Sequence, residues 1–139
     1  MKILILSWNF PPAVGGVETH ISQLFMGLLR AGHSVEVVTS AAPDAAPRDI
    51  VHRAVRRGLV GYLLFALACG FRQCRTNRPE LIFCGSVVTV WIGLILSKLY
   101  RVPLTMIAYG CDLVYPGVVY RPFSRVLFRR VPQILAISR

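Results

Sequence analysis

Acidic residues are scarce in this sequence. Six Asp and Glu stand against 16 Lys and Arg in 139 residues, a formal net charge of +10. Such a surface excludes few partners but favours phosphate-bearing ones: nucleic acid, anionic lipid or nucleotide. Charge of either sign is scarce (16%) while 55% of residues are hydrophobic, which excludes a disordered or fibrous chain. C-x-x-C pairs are missing. Cys69, Cys74, Cys84 and Cys111 are scattered, with no His nearby to complete a zinc set. They read as small buried hydrophobes of a reducing compartment. A run built to cross a bilayer is missing too. Gly58 to Phe71 is too short, and Leu81 to Ser97 only reaches the lower edge of the spanning range. The latter carries Gly85, Ser86 and Thr89 near its start and reads better as a strand turning into a helix. A signal peptide is not expected, because only Ile3 to Leu6 separate Lys2 from Ser7, Trp8, Asn9 and the Pro11-Pro12 pair. There is no internal repeat, no low-complexity segment, and no helix-turn-helix or RNP-like pattern of a nucleic-acid binder.

What remains is an alternation of short apolar runs with helical periods. Lys2 to Ser7 is a strand candidate, stopped by the prolines. Val17, Ile21, Leu24, Phe25, Leu28 and Leu29 then fall on one helical face, with Gly32 as a stop. Val35 to Thr39 is a second strand, Ala41 to Asp49 a loop and Ile50 to Val55 a short third strand. A helix is expected over Arg56 to Asn77, a fourth strand over Leu81 to Cys84 and a helix over Val87 to Tyr100. Leu104 to Ala108, Tyr120 to Arg130 and Gln133 to Ile137 complete the series as strand, helix and strand. Strands alternating with helices at this spacing predict parallel βαβ units. The expected fold is α/β: a doubly wound, mostly parallel Rossmann-like sheet with helices on both faces. Ligands of such sheets bind beyond the carboxyl ends of the strands, so the turn after strand one and the end of strand five matter most.

The first of these turns holds Gly15-Gly16 at the start of a helix. Adjacent glycines allow positive φ and close backbone approach, and the helix N-terminus favours an anion. A phosphate is the natural guest, although an ordinary tight βα turn would look the same. The pattern is neither G-x-G-x-x-G nor a P-loop, since no G-K-[ST] follows. Glu18 in the first helical turn matches the dipole and as a functional group can orient an acceptor hydroxyl. It would repel a phosphate set directly against it, so the two are expected to point to different parts of the cleft. His20, near the same turn, can face the cleft.

Pro11-Pro12-x-x-Gly15-Gly16-x-Glu18, directly after an N-terminal strand and before an amphipathic helix, resembles the opening of family 4 glycosyltransferases of the GT-B type. Ala31 to Thr39 is similar to that family's helix end and second strand. Tyr109-Gly110-Cys111-Asp112-Leu113 resembles its His-Gly-x-Asp-Leu segment, and Ile134 to Ser138 the strand that closes its N-terminal domain. The resemblance runs over nearly the whole chain in collinear order. It implies that residues 1–139 are the Rossmann-like acceptor-side domain of a retaining glycosyltransferase, acting without cofactor or metal. A nucleotide sugar would be the donor substrate and a glycan or lipid-linked molecule the acceptor. By the same resemblance, Gly15 and Gly16 touch the donor diphosphate, Glu18 and His20 lie on the acceptor side, and Tyr109 and Asp112 stand at the transfer centre. The chain departs from the family at Tyr109, where the family has histidine. A phenol, ordinarily titrating near 10, is a poor substitute for an imidazole. No carboxylate follows Asp112, so the family's Glu-x7-Glu donor grip does not occur here. A C-terminal donor-binding domain, in cis or in trans, is therefore an expected partner, and the isolated chain is expected to be inactive. A non-enzymatic binding module or a subunit of a split transferase is the alternative reading; a small membrane protein is a third.

Arginines flank the Gly58 to Phe71 run: Arg53, Arg56 and Arg57 before it, Arg72, Arg75 and Arg78 after it. Arg121, Arg125 and Arg129 form one stripe of a helix. Both sets read either as solvated faces or as contacts to an anionic membrane surface; nucleic acid is the weaker candidate partner. The expected location is the cytoplasm, peripheral at the inner membrane face.

Overall fold

The computed structural model describes residues 1–40, 50–54, 58–109 and 130–137. Asp112, Cys111, Arg56, Arg57, Arg121, Arg125 and Arg129 lie outside the described residues, as do the loop expected over Ala41 to Asp49 and nearly all of the helix expected over Tyr120 to Arg130. Strands are β1 (Lys2–Ser7), β2 (Ser34–Thr39), β3 (Val51–Arg53), β4 (Leu81–Cys84), β5 (Leu104–Tyr109) and β6 (Gln133–Ile137). Helices are α1 (Gly16–Arg30), α2 (Leu59–Thr76) and α3 (Val90–Tyr100), with a single 3-10 turn over Val87–Thr89 before α3. The strands form one sheet in the order β3-β2-β1-β4-β5-β6, and every neighbouring pair is parallel.

Burial on both faces explains why the strands read as unbroken apolar runs. Alternate residues serve opposite layers. Ile3, Ile5, Val35, Val37, Phe83 and Ile107 pack on the side of α1 through Ile21 and Phe25. Leu4, Leu6, Val38, Ile82, Cys84 and Met106 pack on the other side, against α2 and α3. Each fully buried aliphatic side chain is worth roughly 1.5–3 kcal/mol. Tyr62 of α2 is completely buried there, edge-on to Trp8 with ring centroids 5.0 Å apart, and its hydroxyl donates to the Val38 carbonyl at 3.4 Å. Burial pushes its phenol far above the usual value. Glu36 is a half-buried carboxylate on β2. His52 of β3 lies 2.9 Å from its Oε2, Asn77 bonds its other oxygen, and the Gln73 amide lies 2.6 Å from the same His52 nitrogen. A buried polar group needs such partners, and here they tie the edge strand β3 to the end of α2.

The structure answers the membrane-protein reading in one respect. Among the described residues no helix is long and apolar enough to cross a membrane.

The cysteines give the fold an alkaline weak point. Cys69, Cys74 and Cys84 are free thiols. Burial pushes Cys84, completely enclosed, up to about 12, and Cys69 and Cys74 up to about 11, from an ordinary value of 9.0. Above pH 9 the unfolded chain gives up thiol protons that the folded chain retains. Unfolding then releases protons, so stability falls as pH rises through this window. For Cys84 the slope is about 1.4 kcal/mol per pH unit. Urea unfolding free energies measured at a series of alkaline pH values should decline accordingly, and Cys84→Ala should flatten the decline by about one proton's worth. An unchanged slope in that variant would show that Cys84 ionises freely in the folded state.

Candidate functional site

The loop after β1 and the end of β5 meet at the carboxyl edge of the sheet. The loop leaves β1 at Ser7 and reaches α1 through Trp8, Asn9, Phe10 and a cis Pro11-Pro12 bond. It is held from several sides. Ser7 Oγ donates to the Asn9 carbonyl at 2.7 Å, Ser40 Oγ donates to the Trp8 carbonyl at 2.6 Å, and the Ser86 hydroxyl accepts from the Trp8 N–H at 3.4 Å. Arg53, at the end of β3, donates to the Pro11 carbonyl at 3.0 Å and lies 5.8 Å from the centre of the Phe10 ring. Sequence reading placed Arg53 on the basic surface; the structure makes it a brace for the loop. Its position at the carboxyl end of a strand next to the loop was the one signal available.

The glycine pair is not used as expected. Gly15 caps α1 in extended backbone (φ 179°), and Gly32 is the only glycine of positive φ among the described residues. What the turn needs is room. A Cβ on Gly15 would collide with the carboxylate of Glu18, which folds back over it. The Glu18 carboxylate thus sits at the positive end of α1, the favoured place for one. Gly16 is different. A Cβ there would meet nothing within 4 Å. Beside it lies an open hollow of about 320 Å³ lined by Val14, Gly15, Gly16, Thr19, His20 and Gln23. Thr19 turns its hydroxyl inward, donating to the Gly15 carbonyl at 2.8 Å, so the imidazole of His20 is the prominent basic group of the wall.

Tyr109 is the last residue of β5. Its ring is 9% exposed and packs in the layer under α1, while its hydroxyl shares a hydrogen bond of 3.2 Å with His20 Nδ1. The two rings meet edge to face at 5.9 Å. The structure thus brings Gly15, Gly16, Glu18, His20 and Tyr109 to one edge. The His20–Tyr109 pairing, across 89 positions of sequence, was not anticipated. Its chemical content is an imidazole and a phenol in hydrogen contact, next to a helix N-terminus with free N–H groups.

Comparison with known proteins bears on the family and the fold. The model of Glycosyltransferase Family 4 matches residues 14–139. An uncharacterized glycosyltransferase of Methanocaldococcus jannaschii is 25% identical over 138 residues, covering 91% of this chain and 35% of its own length. The chain thus spans about a third of that relative. Glycogen synthase of Mycobacterium tuberculosis is 47% identical over 45 residues, 32% of this chain and 11% of that protein. Among solved structures, S. aureus MnaA with UDP superposes at a TM-score of 0.63 with 13% identity, over 98% of this chain and 38% of that one. Acinetobacter baumannii MurG superposes at 0.62 with 13% identity, over 99% and 41%. At that identity the two structures speak to the fold, a Rossmann-like sheet of GT-B enzymes. The match over residues 14–139 settles the relationship: the chain belongs to Glycosyltransferase Family 4.

Proposed function

We propose that this chain is the acceptor-side domain of a retaining glycosyltransferase that moves a sugar from a nucleotide-sugar donor to a glycan or lipid-linked acceptor. The observation that carries the reading is the open hollow beside Gly16, at the start of α1, lined by His20, which is hydrogen-bonded to Tyr109. A GT-B neighbour solved with UDP supports a nucleotide-sugar partner. The donor diphosphate approaches the N–H groups at Gly15-Gly16, where the helix dipole contributes about 0.3–1 kcal/mol. In arriving it displaces the Glu18 carboxylate, which like charge drives off Gly15 and turns toward the acceptor hydroxyl. Tyr109 donates or accepts a hydrogen bond at the transfer centre, and Asp112 accepts one from a sugar hydroxyl. The donor's nucleotide is held mainly by a second domain, so the 139-residue chain by itself turns over no donor. Neither cofactor nor metal enters this scheme.

The test is a donor-consumption assay run on the 139-residue chain and on a polypeptide in which a donor-binding domain follows it. Transfer is expected only from the second. Robust turnover by the chain alone would overturn the division of labour, and no turnover by either would overturn the transferase reading.

A further inference from the structure

Edge strand β3 is short, yet its two polar side chains face opposite layers of the sheet. Strand alternation puts Val51 and Arg53 on the side of α1 and His52 on the side of α2. The contacts agree. Val51 belongs to the core layer under α1, while His52 reaches Glu36 of β2 and Gln73 of α2. Parallel pairing sets Arg53 opposite Thr39, and the Ala54 N–H donates to the Thr39 carbonyl at 2.9 Å. The strand is thus seated by its backbone and by His52, and Arg53 projects from a fixed base.

What Arg53 grips is a segment unable to anchor itself. Pro11 and Pro12 have no N–H, so this part of the loop offers carbonyls but no amide donors, and its acceptors need donors from outside. The hydroxyls of Ser40 and Ser7 serve the carbonyls of Trp8 and Asn9. The Pro11 carbonyl, nearest of the three to the glycines in sequence, receives the Arg53 Nη1–H at 3.0 Å. The guanidinium also lies over the Phe10 ring. Phe10, 2% exposed, meets Phe25 of α1 edge to face at 5.7 Å. One cation therefore holds the backbone that leads to Gly15-Gly16 and, through Phe10, the helix that begins there. Arg53 does not line the hollow beside Gly16, so its effect on a ligand there passes through the loop.

We propose that Arg53 is a positioning residue: it holds the Phe10–Pro12 segment so that the N–H groups at the start of α1 stay set for a diphosphate. The proposal rests on the reading of that turn given above. A charge-assisted hydrogen bond is roughly twice as strong as a neutral one. A site whose competent arrangement is only partly populated binds more weakly by that fraction. Loss of the brace therefore costs affinity without removing any contact to the ligand.

The experiment uses the 139-residue chain with inorganic diphosphate as the probe. The backbone amides of Gly15 and Gly16 are followed by NMR during the titration, and order parameters of the Phe10 and Ala13 amides are measured in parallel. Arg53→Met keeps the length of the side chain and its contact with Phe10 but removes the donor and the charge; Arg53→Lys keeps a donor and the charge. Methionine should weaken diphosphate about tenfold, the worth of one hydrogen bond to a charged group, and lower the order parameters of Phe10 and Ala13. Lysine should bring the affinity back to within about threefold of the parent. Equal affinity in the parent and Arg53→Met would overturn the proposal. So would weaker binding with order parameters unchanged, which would make Arg53 a direct contact of the anion. Looser amides with affinity unchanged would also overturn it, leaving Arg53 a brace of the fold alone. Silence of Gly15 and Gly16 in the unaltered chain would instead overturn the reading of the turn itself, and the proposal with it.

Discussion

Gly93→Val is expected to lower the melting temperature by roughly 10 °C, from a loss of about 3 kcal/mol or more. Gly93 lies on the face of α3 that meets the sheet. A Cβ there would stand 2.5 Å from Cys84 Sγ and 2.8 Å from Leu104 Cδ1, with Ile82 Cγ2 at 3.8 Å. Both close neighbours are fully buried, and Leu104 and Cys84 belong to adjacent strands. The helix therefore cannot tilt away from one without lifting off the other. Valine adds two methyl groups beyond that Cβ, and interiors packed to crystal density have no slack to take them. Gly93→Ala brings a helix-propensity gain of about 1 kcal/mol that offsets part of the same collision, so its loss should be smaller. Thermal melts followed by circular dichroism check both. A valine variant melting within about two degrees of the parent would mean that α3 does not pack on β4 and β5 as closely as described.

The second large effect is functional. Gly16→Val should weaken nucleotide-sugar binding at least about tenfold, or 1.4 kcal/mol, in the polypeptide that carries both domains, while leaving the melt almost unchanged. The separation of the two readouts follows from space. A Cβ on Gly16 meets nothing within the protein, so an added side chain does no harm to the fold. It does fill the approach to the N–H groups that begin α1 and crowds the hollow beside His20. Neighbouring Gly15 would make a poorer probe, since its missing Cβ is occupied by the Glu18 carboxylate. Isothermal titration with the nucleotide sugar decides the matter. An unchanged dissociation constant for Gly16→Val would move the diphosphate away from this turn.

The framework was legible because its signals are local. β1, β4 and β6 have the bounds that their apolar runs suggested, and α1 follows the spacing of Val17, Ile21 and Phe25. Expected bounds drifted where side chains compete with the helix. Val87–Thr89 forms a 3-10 turn instead of the first turn of α3, since Thr89 Oγ1 bonds the Leu6 carbonyl at 3.0 Å and the Ser86 carbonyl at 2.8 Å. The third strand shrank to Val51–Arg53, and α2 begins at Leu59 behind Gly58. The candidate site was half legible. Its backbone part, the turn around Gly15 and Gly16, leaves a compact trace in sequence. Its side-chain part does not: His20 meets Tyr109 and Arg53 meets Pro11 across long separations that no periodicity encodes.

The strand order also sets a timetable for the chain as it leaves the ribosome. β1, made before the other strands of the sheet, ends in its middle, pairing with β2 on one side and with β4 on the other. Its first neighbour emerges soon; the second must wait until all of α2 has been synthesised. Through that interval one edge of an almost wholly apolar central strand has no mate, and such edges recruit other chains. A nascent chain of this protein is therefore most exposed to aggregation after β3 and before β4, the stretch over which a holding chaperone would matter most.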